Sequence, residues 1–169
     1  MHSFQPYPVD LLDFNVFNKI GNDWTMITAG NKEKANTMTA SWGGAGVMWG
    51  KNVAIIFVRD SRYTKEWIDK EGTFSLTFFD KSYKSAMKYI GAVSGRDEDK
   101  IGNAKLHLDY YKDEVPYIDE GNLVMVCKKM SATRMTEDQF IDPEIKEKWY
   151  ADGNMHTMYI GEIIEIMAR

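Results

Sequence analysis

The sequence predicts a mainly β fold with peripheral helices, either a barrel or a sandwich. Two observations lead there. Short segments with strand periodicity recur along the chain, whereas helical segments are few and scattered. The regular strand–helix alternation of a doubly wound α/β fold is missing. With 169 residues, the chain reads as one domain over 1–169, long enough to bury roughly 70% of the surface its unfolded form exposes.

The elements follow in order. Trp24, Met26 and Thr28 alternate with Thr25, Ile27 and Ala29, which is strand periodicity. Residues 30–34 read as a polar turn, and Asn36 to Trp42 as a strand whose side chains are small and polar for a core position. Gly43, Gly44, Gly46 and Gly50 then predict a flexible loop. Val53 to Val58 is a continuous apolar run, suited to a strand buried on both faces. A helix starts near Arg62 and sets Tyr63, Trp67 and Ile68 on one face. Phe74, Leu76 and Phe78 alternate with Ser75 and Thr77, the signature of a half-buried strand. A second helix runs from Tyr83 to about Ile90. Leu123 to Cys127 and Met155 to Ile166 are two further strands. Between them Pro143 to Trp149 forms a short helix with proline in its first turn.

Composition narrows the function. The hydrophobic share is 44%, the charged share 27% and the aromatic share 13%, which suits a soluble globular chain with aromatics for a core or for a flat ligand. The formal net charge is −4, which argues against nucleic acid as a partner, because polyanion binding leaves a basic footprint. Cys127 is the one cysteine, so neither an internal disulfide nor a CxxC metal site exists, and a cytoplasmic location is expected. The start, MHSFQPYPVDLLDF, lacks the features of a signal peptide. No apolar run reaches the ~18 residues of a membrane helix, so no membrane association is expected. His2, His107 and His156 lack metal-ligand spacing. GxSxG, GxGxxG and P-loop patterns are absent, leaving a hydrolase elbow and the common nucleotide loops unsupported.

Three constellations remain. In Asp60-Ser61-Arg62-Tyr63-Thr64, Ser61 or Asp60 can cap the helix. The helix N-terminus, the Arg62 fork, the Thr64 hydroxyl and nearby Arg59 offer donors to a phosphate. The same residues also fit an ordinary capped helix with solvated arginines. In Asn36-Thr37-Met38-Thr39-Ala40-Ser41-Trp42, close backbone and small side chains suit a flat heteroaromatic ring, or merely a strand with one solvated face. Gly91 to Lys100 forms a glycine-serine turn followed by charges, which either reaches a phosphate or a partner subunit or is a solvated loop. Cys127, in an apolar run, reads as a small hydrophobe. Glu162 and Glu165 read as surface carboxylates.

Taken in order, Asn36 to Gly43, Arg59, Arg62-Tyr63-Thr64, Phe74-Ser75-Leu76, Gly91 to Lys100 and His156 to Ile163 resemble the flavin reductase-like family of FMN-binding split barrels, in its flavoredoxin-like branch. The resemblance spans roughly residues 10 to 167. It implies a six-stranded Greek-key split β-barrel and a homodimer with FMN near the subunit interface. The cofactor-binding set it implies is Asn36, Met38, Thr39, Ala40, Ser41, Trp42, Arg59, Arg62, Tyr63, Thr64, Ser94, Gly95 and Lys100. Met38 to Trp42 would lie along the ring, and Arg62 and Thr64 would hold the phosphate, with Arg59 nearby. Ser94-Gly95 and Lys100 would approach the flavin or its phosphate tail. His156, the candidate catalytic residue, would stand where a nicotinamide stacks. The implied activity is that of an NAD(P)H-dependent flavin reductase. Dedicated reductases often carry an Asn-x-x-Pro-Phe-Ser-type segment where this chain has Thr39-Ala40-Ser41-Trp42. The electron donor is therefore NADH, NADPH or, for a flavoredoxin-like carrier, another redox protein. A split barrel that holds a different ligand without redox chemistry is the third reading.

Overall fold

A computed structural model describes residues 1–169. The strands are β1 (Gln5–Pro6), β2 (Thr25–Gly30), β3 (Ala35–Ala40), β4 (Gly43–Met48) and β5 (Lys51–Arg59), followed by helix α1 (Tyr63–Glu71) and β6 (Thr73–Phe78). Helices α2 (Lys84–Ala92) and α3 (Lys100–Asn103) come next, then β7 (Leu108–Tyr111), β8 (Val115–Ile118), β9 (Leu123–Arg134), α4 (Pro143–Trp149) and β10 (His156–Ala168). No helix is long and apolar enough to cross a membrane.

The main sheet runs β3-β2-β6-β9-β10-β5-β4, all neighbours antiparallel, with β1 pairing the far end of β10. Its two outermost strands, β3 and β4, are consecutive in the chain and separated only by Ser41 and Trp42. So short a link brings the two ends of the sheet together. The sheet therefore curls into a barrel with an unbonded seam, the split barrel that the sequence predicts.

Side chains from β2, β3, β5, β6, β9 and β10 meet in one core that includes Ile27, Met38, Ile56, Phe74, Met125 and Tyr159, with Ile68 of α1 packed into it. These six strands are the ones read from the sequence. The sheet itself has eight strands, because β1 and β4 extend it without adding a buried side chain to that core. β7 and β8 form a separate hairpin.

Several local expectations are corrected. The glycine-rich stretch after Trp42 is strand β4, not a flexible loop: it pairs with β5 from Gly43↔Ile56 to Met48↔Lys51. Trp49 and Gly50 close the hairpin with φ of 53° and 69°, the two positive values that a tight two-residue turn requires. The strand holding Phe74, Leu76 and Phe78 is buried on both faces. The β7–β8 hairpin covers its outer side: Ser75 Oγ donates to the Pro116 carbonyl at 2.7 Å, and the Ile118 amide reaches Thr77 Oγ1 at 3.4 Å. In β5 the inward Ala54, Ile56 and Val58 are buried, whereas Ile55 and Phe57 on the other face are only half-buried.

β10 is the spine of the sheet, bonded to both β9 and β5. Its pairing with β9 shifts register between Ile160 and Gly161. At that shift a Cβ on Gly161 would come 2.6 Å from Phe74 Cζ and 3.1 Å from Cys127 Cβ. Cys127 is fully buried there as a small hydrophobe, and burial pushes its thiol far above the ordinary range. Gly161→Ala is therefore expected to cost about 1–3 kcal/mol by overpacking, lowering Tm by about 2–4 °C per kcal/mol in a chain of this size; a thermal melt measures it.

Candidate functional site

A cleft opens where β3, the start of α1, the end of α2 and the 149–156 segment meet. One end is a cavity of about 160 Å³ lined by Met38, Thr39, Ala40, Ser41, Trp42, Phe57, Arg59, Arg62, Trp149 and His156. A second cavity, of about 280 Å³, shares Met38, Arg59 and Arg62 with the first and continues to Asn36, Tyr63, Thr64, Ser94, Gly95 and Lys100. Every residue of the set singled out from the sequence lies on one of the two.

β3 contributes its edge. Successive side chains of a strand point to opposite faces, so five consecutive lining residues from Met38 to Trp42 cannot all present side chains. Met38 and Ala40 point into the core, and the Thr39 hydroxyl donates to the Met87 carbonyl of α2 at 2.6 Å. What faces the cleft is backbone. β3 pairs only with β2, so the N–H and C=O groups along its other edge have no ladder partner.

The α1 end supplies donors of another kind. Neither Asp60 nor Ser61 caps this helix, contrary to the sequence expectation: Arg62 is the N-cap residue, with extended backbone, and no side chain bonds to the first turn. Asp60 is drawn away by Arg134 at 2.7 Å, and Ser61 Oγ accepts from Asn154 Nδ2 at 2.8 Å. The Lys65 amide donates to Arg62 O at 3.0 Å, but those of Tyr63 and Thr64 remain uncapped beside the cleft at the positive end of the helix dipole. Thr64 is buried in that turn, and its hydroxyl accepts from Asn36 Nδ2 at 2.8 Å. Gly95 packs directly on Asn36, where a Cβ would collide with Oδ1.

Three cations line the cleft, and no Asp or Glu does. They are not equally free. Arg59 donates to the carbonyls of Asn154 at 2.7 Å and Trp149 at 3.0 Å, so it clasps the 149–154 segment. Lys100, almost wholly buried, donates to Ile90 O at 3.1 Å and Val93 O at 3.2 Å, closing the end of α2. Arg62 spends one nitrogen on Gly91 O at 2.9 Å and keeps the rest of its five N–H donors. Burial, and then the neighbouring Arg62, bring Lys100 down to about 8. Burial and the charge of Arg59 also lower Arg62. In a chain of formal net charge −4, the cleft lining is locally positive, with Asp152, 3.9 Å from Arg59, lying outside that lining.

The other end is aromatic. The Trp42 ring meets Trp149 edge-on at 5.0 Å and His156 at 5.1 Å between centroids. His156 is buried, and its Nδ1 lies 2.8 Å from the Tyr150 hydroxyl. Burial and then Arg59 lower it to about 4, with Arg62 adding to this and Asp60 opposing it. Tyr63 sits under the Arg96 guanidinium at 4.9 Å, and Ser94 shapes the 94–98 turn by accepting from the amides of Asp97 and Glu98.

Trp149, Tyr150 and Asn154 were missed from the sequence. Trp149 ends α4 and the other two lie in the irregular stretch after it, and only the fold of β10 against β5 brings them to the cleft.

The sequence pattern of the family described as Flavin reductase like domain matches residues 17–169. No curated protein sequence matches this chain. Similar solved structures include the flavoredoxin from Methanosarcina acetivorans, with 24% identity and a TM-score of 0.69 over 94% of this chain and 76% of that one. An FMN-binding domain of a flavin reductases-like enzyme from Shewanella baltica has 15% identity and a TM-score of 0.70 over 98% and 77%. A Streptomyces globisporus NADH:FAD oxidoreductase has 13% identity and a TM-score of 0.64 over 87% and 76%.

The state of His156 can be checked directly. Its ring proton should titrate near 4 by NMR, well below the ordinary ~6.5. Because the unfolded chain then binds more protons between those values, this group lowers fold stability as pH falls from about 6.5 towards 4.

Proposed function

Since the chain belongs to the flavin reductase like domain family, we propose that its cleft binds FMN and that the protein is an oxidoreductase working through it, in the first instance an NAD(P)H-dependent flavin reductase. The observation that carries this reading is the pairing, in one cleft, of an open strand edge with an uncapped helix start, on a lining that holds three cations and no carboxylate. A flat ring with polar edges suits the backbone of residues 38–42. A phosphate suits Arg62 and the free amides of Tyr63 and Thr64. The donor set fits, and so does the close approach that Gly95 allows beside Asn36.

Within this reading the residues divide their tasks. Arg62 binds phosphate. Thr64 and Asn36 hold each other and fix the first turn of α1, so they shape the phosphate seat more than they ligate. Arg59 and Lys100 add positive potential while bracing the walls. Bound in the cleft, FMN would supply the redox chemistry that the side chains lack. Trp42, Trp149 and His156 would enclose the planar electron donor or acceptor.

Arg62→Ala is expected to weaken FMN while leaving riboflavin, which has no phosphate, nearly untouched. Bonds to a charged group contribute about 1.5–3 kcal/mol each, so two of them amount to about a hundredfold or more in affinity. Arg62→Lys should recover only part, since an ammonium lacks the planar fork. Titration of both flavins at one salt concentration checks this, and unaltered selectivity would remove Arg62 from the phosphate seat. Mixing FMN-loaded protein with NADH and NADPH under nitrogen tests the donor. Bleaching of the flavin band supports the reductase, whereas no bleaching with dithionite still effective points to a carrier served by another redox protein.

We also propose a homodimer. The β4–β5 hairpin leaves Val47 75% exposed on an edge strand of small residues and Trp49 55% exposed in its turn, an apolar surface suited to a second copy. Light scattering on the FMN-loaded protein should give twice 19.5 kDa; a monomer mass would sink this assembly.

A further inference from the structure

The segment that follows α4 holds a tyrosine with one strong partner. Tyr150 is 5% exposed. Phe140 stacks on its ring at 4.8 Å and 18° between planes, and the Arg59 guanidinium lies over it at 5.5 Å. Arg59 is itself tied to the carbonyls on either side of this segment, so the phenol is clamped. Its hydroxyl lies 2.8 Å from His156 Nδ1, a contact in which either group can donate, and 3.7 Å from the Met135 sulfur. Were Nδ1 to donate, the hydroxyl proton would be left with the thioether, a weak acceptor, whereas a bare imidazole nitrogen is a good one; the contacts therefore favour donation from the hydroxyl to Nδ1.

That donation decides where the imidazole carries its own hydrogen. His156 is neutral at ordinary pH, held so by burial and by Arg59 and Arg62 against the weaker pull of Asp60. A neutral imidazole that accepts at Nδ1 must carry hydrogen on Nε2. Nε2 has no partner within the protein and is not among the sealed, unsatisfied atoms. The ring lines the aromatic end of the cleft beside Trp42.

We propose that Tyr150 is a positioning residue that fixes His156 as the Nε2–H tautomer, so that the aromatic end of the cleft offers one uncharged N–H donor to the carbonyl oxygen of a planar ligand such as an amide. The opposite tautomer would present a lone pair there and repel the same oxygen. Only the identity of the ligand rests on the flavin reading; the tautomer does not.

Long-range ¹H–¹⁵N correlation spectra of the histidine-labelled full chain, recorded with and without FMN, test this. Three histidines are present, and His156→Gln assigns the relevant one. In the wild type at pH 7, Nε2 is expected to be the protonated nitrogen and Nδ1 the bare acceptor, and Tyr150→Phe should give a mixture of tautomers. Protonated Nδ1 in the wild type overturns the proposal without recourse to any variant, and so does an unchanged single tautomer in Tyr150→Phe. Nicotinamide, the bare planar amide, should shift the Nε2–H resonance and bind about twofold to tenfold more weakly to Tyr150→Phe, the change one neutral hydrogen bond makes. An Nε2–H resonance unmoved by nicotinamide overturns the donor role. The flavin-free spectrum reports the tautomer even where FMN fails to bind, so the two readings fail separately.

Discussion

The site depends on a single constraint of chain geometry: β3 and β4 are the two ends of the sheet, and only Ser41 and Trp42 lie between them. The chain passes through those two residues from one end of the curled sheet to the other, and β3 pairs only with β2 while β4 pairs only with β5. The outer edge of β3 is therefore left open, and buried or half-buried backbone that lacks a ladder partner seeks another. The barrel keeps an open backbone edge by failing to close.

Around that edge the walls are set by cations used as struts. Arg59 holds the 149–154 segment by two carbonyls, and Lys100 and Arg62 together hold three carbonyls at the end of α2. Each bond satisfies a group that a helix end or loop would leave bare. Each also places a positive charge on the cleft wall. Structure and electrostatics are the same interactions here, so the cleft keeps its shape and its sign before any ligand arrives.

Much of this was legible in the sequence. Period-two alternation at 24–29 and 74–78 and the apolar run at 53–58 mark core strands, because burial leaves a one-dimensional trace in residue type. The cleft residues were legible as ordered segments, since small residues on a strand and Arg at a helix start are visible in the sequence itself, and the fold brings both to one cleft. Other features left no such trace. The strand at 43–48 looks like a loop because an edge strand with no core face needs no large apolar residues, and the cap at Asp60 or Ser61 fails because Arg134 and Asn154, distant in sequence, take those side chains first. Tyr150 and Trp149 were invisible for the same reason: their roles exist only once β10 lies against β5.

The strut at Lys100 has a thermodynamic consequence. With its ammonium brought down to about 8, the side chain stands partly neutral in mildly alkaline solution. An anion settling in the cleft favours the charged form, so binding there draws a proton from the solvent. The heat of association measured calorimetrically near pH 8 should then differ between buffers of unlike ionisation enthalpy. Affinity should weaken as the medium becomes more basic, although the anion itself has nothing left to lose.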